Sequence, residues 1–139
     1  MKVEVYADGS ATTAESPGGW AFVVVVDDVK VHEGSGGISK ATNNVAELTA
    51  ALEGLQYATS AYPTEKVVLI SDSMLALNYT NGTWKCKKIH LAMLHAKLRK
   101  LYEGGKIETK WVRGHTGVEH NERCDQLAKS EREKLMVCN

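Results

Sequence analysis

Residues 67–71 read Val-Val-Leu-Ile-Ser, an unbroken apolar run that ends at Asp72-Ser73. A strand with one wet face alternates apolar and polar side chains, whereas a strand without alternation needs cover on both faces. That cover has to come from helices on the two sides of a sheet, so the run points to an α/β architecture. Such a strand sits centrally and runs parallel to a neighbour. Asp72 and Ser73 carry cap-type side chains, as expected where a strand gives way to a short helix.

The remaining elements follow from periodicity. Residues 3–7 form a first strand before Asp8-Gly9-Ser10, which reads as a turn. Residues 20–26 are a dense β-branched run, and Asp27-Asp28 suits a two-residue hairpin into a third strand at 29–33. Over 44–57, Val45, Leu48, Ala51, Leu52 and Leu55 keep the helical period behind Thr42-Asn43-Asn44, which supply cap-type groups. A second amphipathic helix over 89–102 (Leu91, Leu94, Leu98, Leu101) stops at Gly104-Gly105. A fifth strand over 107–112 and a last helix over 121–135 flank a loop with glycines and a histidine. The expected fold is one domain over 1–139: a five-stranded mixed α/β sheet, three antiparallel strands then two parallel ones, flanked by helices.

Charge and cysteine content bound the function. Lys plus Arg (17) equals Asp plus Glu (17), so no overall basic field holds this chain on a polyanion. Affinity for nucleic acid then has to come from local patches and metal ions. The longest apolar run, 20–26, falls well short of the roughly 20 residues a membrane span needs. MKVEVYAD also has charges where a signal peptide is apolar, so a cytoplasmic protein without membrane contact is expected. Cys86, Cys124 and Cys138 are odd in number and lack C-x-x-C spacing. They read as reduced thiols, Cys124 as a small core residue.

Four acids, Asp8, Glu47, Asp72 and Asp125, lie at element boundaries. If the first and fourth strands are parallel neighbours, Asp8 and Asp72 emerge at one sheet edge, where ligand sites of open α/β sheets form. At about 100° per residue, Glu47 falls roughly 40° beyond Ala51, on the flank of its helix's apolar stripe. Asp125 likewise flanks Cys124, Leu127, Ala128 and Leu135. Taken singly, these acids are a turn, a cap and two solvated helix charges. Gathered in a partly buried pocket, four negative charges demand protons or cations of matching charge. Two Mg²⁺ ions would balance them, and a two-metal site points to phosphoryl-transfer chemistry. His115 sits in Arg113-Gly114-His115-Thr116-Gly117, where glycines allow mobility and a histidine can move protons near neutral pH.

The strings YADGS, GGW, ATNNVAEL, ISDS and WVRGHTGVEHNERCDQLA occur in that order across residues 1–130. Together they resemble type 1 ribonuclease H. The resemblance implies a ribonuclease H-like sheet with the first strand between the second and fourth. It also implies endonucleolytic hydrolysis of the RNA strand of an RNA–DNA hybrid, leaving 5′-phosphate and 3′-hydroxyl ends. In that pattern Asp8 bridges two Mg²⁺ ions, for which Mn²⁺ could substitute. Asp125 binds the ion that activates water, and Glu47 and Asp72 bind the ion at the leaving oxygen. His115 assists proton transfer or product release, and Glu122 lies where it affects departure.

The same resemblance places Asn43, Asn44 and the backbone around Gly9-Ser10 along the hybrid's minor groove, and Thr42 on a DNA-strand phosphate. Met74 stands where many relatives carry a groove-reading glutamine. Residues 83–89 are too short for the basic handle helix, which makes this a compact form in which Lys85, Lys87 and Lys88 could touch phosphates instead. The expected partner is an RNA–DNA hybrid and the expected state a monomer. A resolvase or integrase core, and a non-catalytic hybrid-binding module, are the competing readings.

Overall fold

The structure is a computed structural model and describes residues 1–114 and 118–137. Its strands are β1 (Val3–Ala11), β2 (Gly18–Val26), β3 (Val29–Ile38), β4 (Val67–Ser71) and β5 (Ile107–Trp111). The helices are α1 (Asn43–Ala61), α2 (Met74–Asn81), α3 (Ala92–Glu103) and α4 (Glu119–Val137), with a single 3₁₀ turn at Ile89–Leu91. The sheet order is β3-β2-β1-β4-β5. Strands β1 to β3 are antiparallel, and β4 lies parallel to both β1 and β5. This is the mixed sheet expected from the sequence, with β1 between β2 and β4.

Both faces of the sheet are covered, which explains the two runs without alternation. Val24, Val67 and Leu69 pack with Leu48, Leu55 and Leu98 on the face of α1 and α3. On the opposite face, Ala21, Val23 and Val25 meet Cys124 and Ala128 of α4. β2 therefore reads as a continuous apolar strand although it is antiparallel. No helix among the described residues is long and apolar enough to cross a membrane.

Two expected boundaries move. The first strand does not stop at Ala7 in an Asp-Gly-Ser turn; β1 continues through Asp8, Gly9 and Ser10 to Ala11, paired with Ala21, Trp20, Gly19 and Gly18. Its parallel pairing with β4, in contrast, reaches only Tyr6 opposite Ile70. Asp8 thus stands where β1 has lost one neighbour and kept the other. The third strand also runs past Glu33 to Ile38, through a glycine-rich stretch that usually weakens strands. Gly36 lies opposite Trp20 and Gly34 opposite Phe22. A Cβ on either glycine would fall inside the facing aromatic ring, so the rings cover the bare backbone and glycine is what fits under them.

Other local readings hold. Asp27 and Asp28 have φ of 49° and 67°, the left-handed pair a tight two-residue hairpin needs. Thr42 caps α1, its Oγ1 accepting from the Val45 N–H at 3.2 Å. Ser73 caps α2 in the same way through the Ala76 N–H at 3.1 Å. Between α2 and the 3₁₀ turn there is no handle helix.

Candidate active site

Three of the four acids converge. Asp8 comes from β1, Glu47 from the second turn of α1, and Asp72 from the step between β4 and α2. One carboxylate oxygen of each lies within 4.8 Å of the others. Asp8 and Glu47 are each only 6% exposed. Gly9 makes the approach possible: a side chain there would run into the backbone of Ala46 and Glu47, so α1 can lie directly on β1 only at glycine. The Gly9 N–H then donates to Asp8 Oδ1 at 3.0 Å and also to Glu47 Oε1.

One shared amide cannot offset the burial of both Asp8 and Glu47. Burial pushes the Asp8 carboxyl up to about 7, and the charges of Asp72 and Asp125 push in the same direction against the hydrogen bonds it receives. Burial, then the charge of Asp8, holds Glu47 well above the usual carboxylate range. Buried acids of this kind bind protons or hard cations. The all-oxygen donor set of three carboxylates fits divalent metal ions such as Mg²⁺.

Asp125 lies on α4, half-buried, close enough for its charge to act on Asp8 but outside the three-acid group. Its Oδ2 pairs with Lys129 at 3.0 Å. Glu122 lies half-buried in the first turn of the same helix. His115 falls outside the described residues.

Most of the expected groove residues are exposed. Asn43 and Asn44 are exposed in the first turn of α1, and Met74 opens α2 at 48% exposure. Lys85, Lys87 and Lys88 are exposed on the segment joining α2 to the 3₁₀ turn, beside Trp84 and Ile89, which are 43% and 94% exposed. Ser10 is buried, and its Oγ accepts from Arg132 Nη1 at 2.8 Å.

Sequence reading missed three supports. Arg132, from the last turns of α4, holds Ser10, and nothing in its local pattern signals this. Trp111 donates its indole N–H to the Asp72 carbonyl at 3.2 Å, tying the end of β5 to the acid-bearing turn. Gly114, taken as a source of loop mobility, has an ordinary negative-φ backbone, since only Gly82 and Gly105 are positive-φ glycines among the described residues. A Cβ at Gly114 would lie 2.6 Å from Asp72 Oδ2, so this glycine makes room for a carboxylate. Its place in the string WVRGH was the available signal.

The chain as a whole matches known proteins. A family model described as RNase H matches residues 1–133. The chain belongs to the ribonuclease H family. A ribonuclease H of Pseudomonas entomophila is 38% identical over 138 residues, spanning 91% of this chain and 90% of the relative. Among solved structures, the N-terminal RNase H domain of a Mycobacterium tuberculosis protein superposes with a TM-score of 0.86 at 28% identity, over 99% of this chain and 97% of that one. LC11-RNase H1, solved in complex with an RNA/DNA hybrid, gives 0.84 at 25% identity, over 97% and 99%. This likeness covers the whole sheet, so the ribonuclease H reading extends to the fold as well as the motifs.

Proposed function

We propose that this ribonuclease H is an endonuclease that hydrolyses the RNA strand of RNA–DNA hybrids, leaving 5′-phosphate and 3′-hydroxyl ends. The observation that carries the reading is the convergence of buried Asp8 and Glu47 with half-buried Asp72, one carboxylate oxygen of each lying within 4.8 Å of the others. The preferred metal is Mg²⁺, with Mn²⁺ as a substitute. Bound there, two such ions would lower the pKa of a water and offset charge on the departing 3′ oxygen.

The residues of the chain do the rest. Asp8 would be the ligand shared by the two ions, Glu47 and Asp72 would hold one of them, and Asp125, released from Lys129, would hold the other. Gly9 keeps the first two carboxylates aligned through its N–H. His115 takes the proton-transfer or product-release role its motif suggests, with Glu122 near the exit. Asn43, Asn44 and the backbone around Gly9-Ser10 line the minor groove, where 2′-hydroxyls mark the RNA strand. Thr42 and the lysines at 85, 87 and 88 hold phosphates. Met74 offers the groove an apolar contact where a glutamine would offer hydrogen bonds. The protein acts as a cytoplasmic monomer.

Incubation with end-labelled hybrid, duplex RNA and duplex DNA tests the reading. Cleavage of the hybrid alone, dependent on Mg²⁺ and lost in Asp8→Asn, is the expected result. Undiminished cleavage by Asp8→Asn, or metal-dependent binding without cleavage, would sink it.

A further inference from the structure

On α4 every lysine and arginine but one has an acid beside it. Arg123 pairs with Glu33 at 2.7 Å, Lys129 with Asp125 at 3.0 Å and Lys134 with Glu131 at 2.9 Å. Arg132 makes no ion pair among the described residues, although it is half-buried. Its Nη1 donates to Ser10 Oγ at 2.8 Å, and its buried Nε–H has no acceptor. A guanidinium carries five donors and a permanent charge, so one anchored through a single neutral hydroxyl has most of its capacity unused.

Its place is set by β1 and α4 together. Tyr6, Asp8 and Ser10 fall on the same face of β1, the one that α4 covers. Along that face the His120 ring lies 5.2 Å from Tyr6, Cys124 donates to the Tyr6 carbonyl at 3.3 Å, and Arg132 reaches Ser10. Ser10 is two residues beyond Asp8, about 7 Å along the strand, and Arg132 is two turns beyond Asp125, roughly 10 Å along the helix. The guanidinium therefore stands just past the acids, on the stretch of β1 that has left β4 and keeps only β2.

We infer that Arg132 binds a backbone phosphate of the strand that is cut, about two nucleotides from the scissile bond, an inference that rests on the hybrid-hydrolysis reading above. A nucleic-acid strand rises about 3.4 Å per nucleotide, so an anion beside Ser10 falls at that separation when the reacting phosphate lies on Asp8. Arginine matches phosphate in charge and in fork geometry. The Ser10 bond aims the side chain, and Nη2, which makes no hydrogen bond among the described residues, is the nitrogen that meets the anion. A purely structural tie between α4 and β1 needs only the Ser10 contact, for which a neutral side chain serves. Bound this way, the phosphate holds the cut strand in register on the acids.

Steady-state cleavage of a series of hybrids, each with one RNA-strand phosphate replaced by an uncharged methylphosphonate, tests this. In the wild-type protein one replacement within about two nucleotides of the scissile bond should raise KM about tenfold, and Arg132→Gln should raise KM on the unmodified hybrid by a similar factor with a much smaller change in kcat. Arg132→Gln should then be indifferent to that one replacement, and its salt slope should fall by about one. Ser10→Ala, which keeps the charge and loosens its aim, and Arg132→Lys should each show an intermediate loss. These two variants carry the comparison if Arg132→Gln melts early. Losses that add at every position, an unchanged salt slope, or a fall in kcat with KM intact overturns the proposal. If the wild-type protein binds hybrid without cutting it, the hydrolysis reading fails, and the same series read by fluorescence anisotropy still decides the phosphate contact.

Discussion

Glu33 and Glu47 are the same residue type in opposite surroundings. Glu33, on the outer strand β3, accepts from Arg123 Nε at 2.7 Å and from Lys30 at 3.1 Å. The Arg123 hydrogen bond, foremost, holds its carboxyl down to about 2. Glu47, in the second turn of α1, has Asp8 and Asp72 as neighbours and is held well above the usual range, chiefly by burial. At the edge of the sheet the fold supplies its own cations. At the site it gathers acids and sets no cation beside Asp8 or Glu47 among the described residues, so two buried carboxyls with raised pKa stand where metal ions are expected to bind. Stability and function have been placed in different carboxylates.

Substitution at the centre gives the largest contrast. Asp8→Asn is expected to lower hybrid cleavage at least about a thousandfold, because it removes the ligand shared by both ions. The same change should raise the melting temperature measured in a metal chelator, since it removes a buried charge. A fall in that melting temperature would show that the cluster is not strained.

Titration comes next. The folded pKa of Asp8, about 7, lies above its ordinary 3.8. The native state therefore holds more protons than the unfolded state between those values, and stability is lost as pH rises through that window. Thermal melts in chelator should show a decline of a few kcal/mol from pH 4 to 8, and millimolar Mg²⁺ should flatten it. Glu33 has the opposite sign: its contribution is present above pH 4.5 and is lost only as pH falls towards 2, so it leaves the upper window unchanged.

Gly114→Ala should reduce cleavage about tenfold or more by pressing on the Asp72 carboxylate, with partial recovery at high Mg²⁺. Recovery to full activity at ordinary Mg²⁺ would mean the carboxylate simply moves aside. His115→Ala should slow turnover by a similar factor without abolishing it, because the metal ions supply most of the stabilisation; complete loss with intact metal binding would contradict this. Glu33→Gln should be smallest, shifting the melting temperature by no more than about 2 °C and leaving cleavage unchanged, as befits a surface ion pair.

What could be read in advance depended on how far apart the cooperating residues lie in the chain. The unbroken run at 67–71, the Asp27-Asp28 hairpin and the Thr42 cap are local patterns, and each appears as expected. The three acids that the structure brings together, Asp8, Glu47 and Asp72, were also legible, because each is embedded in a distinctive string. The extension of β1 through Gly9 and Ser10 was not, because its reason is α1 lying on Gly9 and β2 pairing alongside. The glycines of β3 read as strand breakers until Trp20 and Phe22 are seen across from them.

Sequence alone settled which residue types are present and at what spacing, and so the α/β class, the family motifs and the acids. Tertiary packing settled their energies. Whether a carboxylate is stabilised or strained depends on what the fold brings within a few ångströms: Arg123 for Glu33, another acid for Glu47. Coulomb and desolvation energies depend on distance through space and on exclusion of water, and neither is written along the chain.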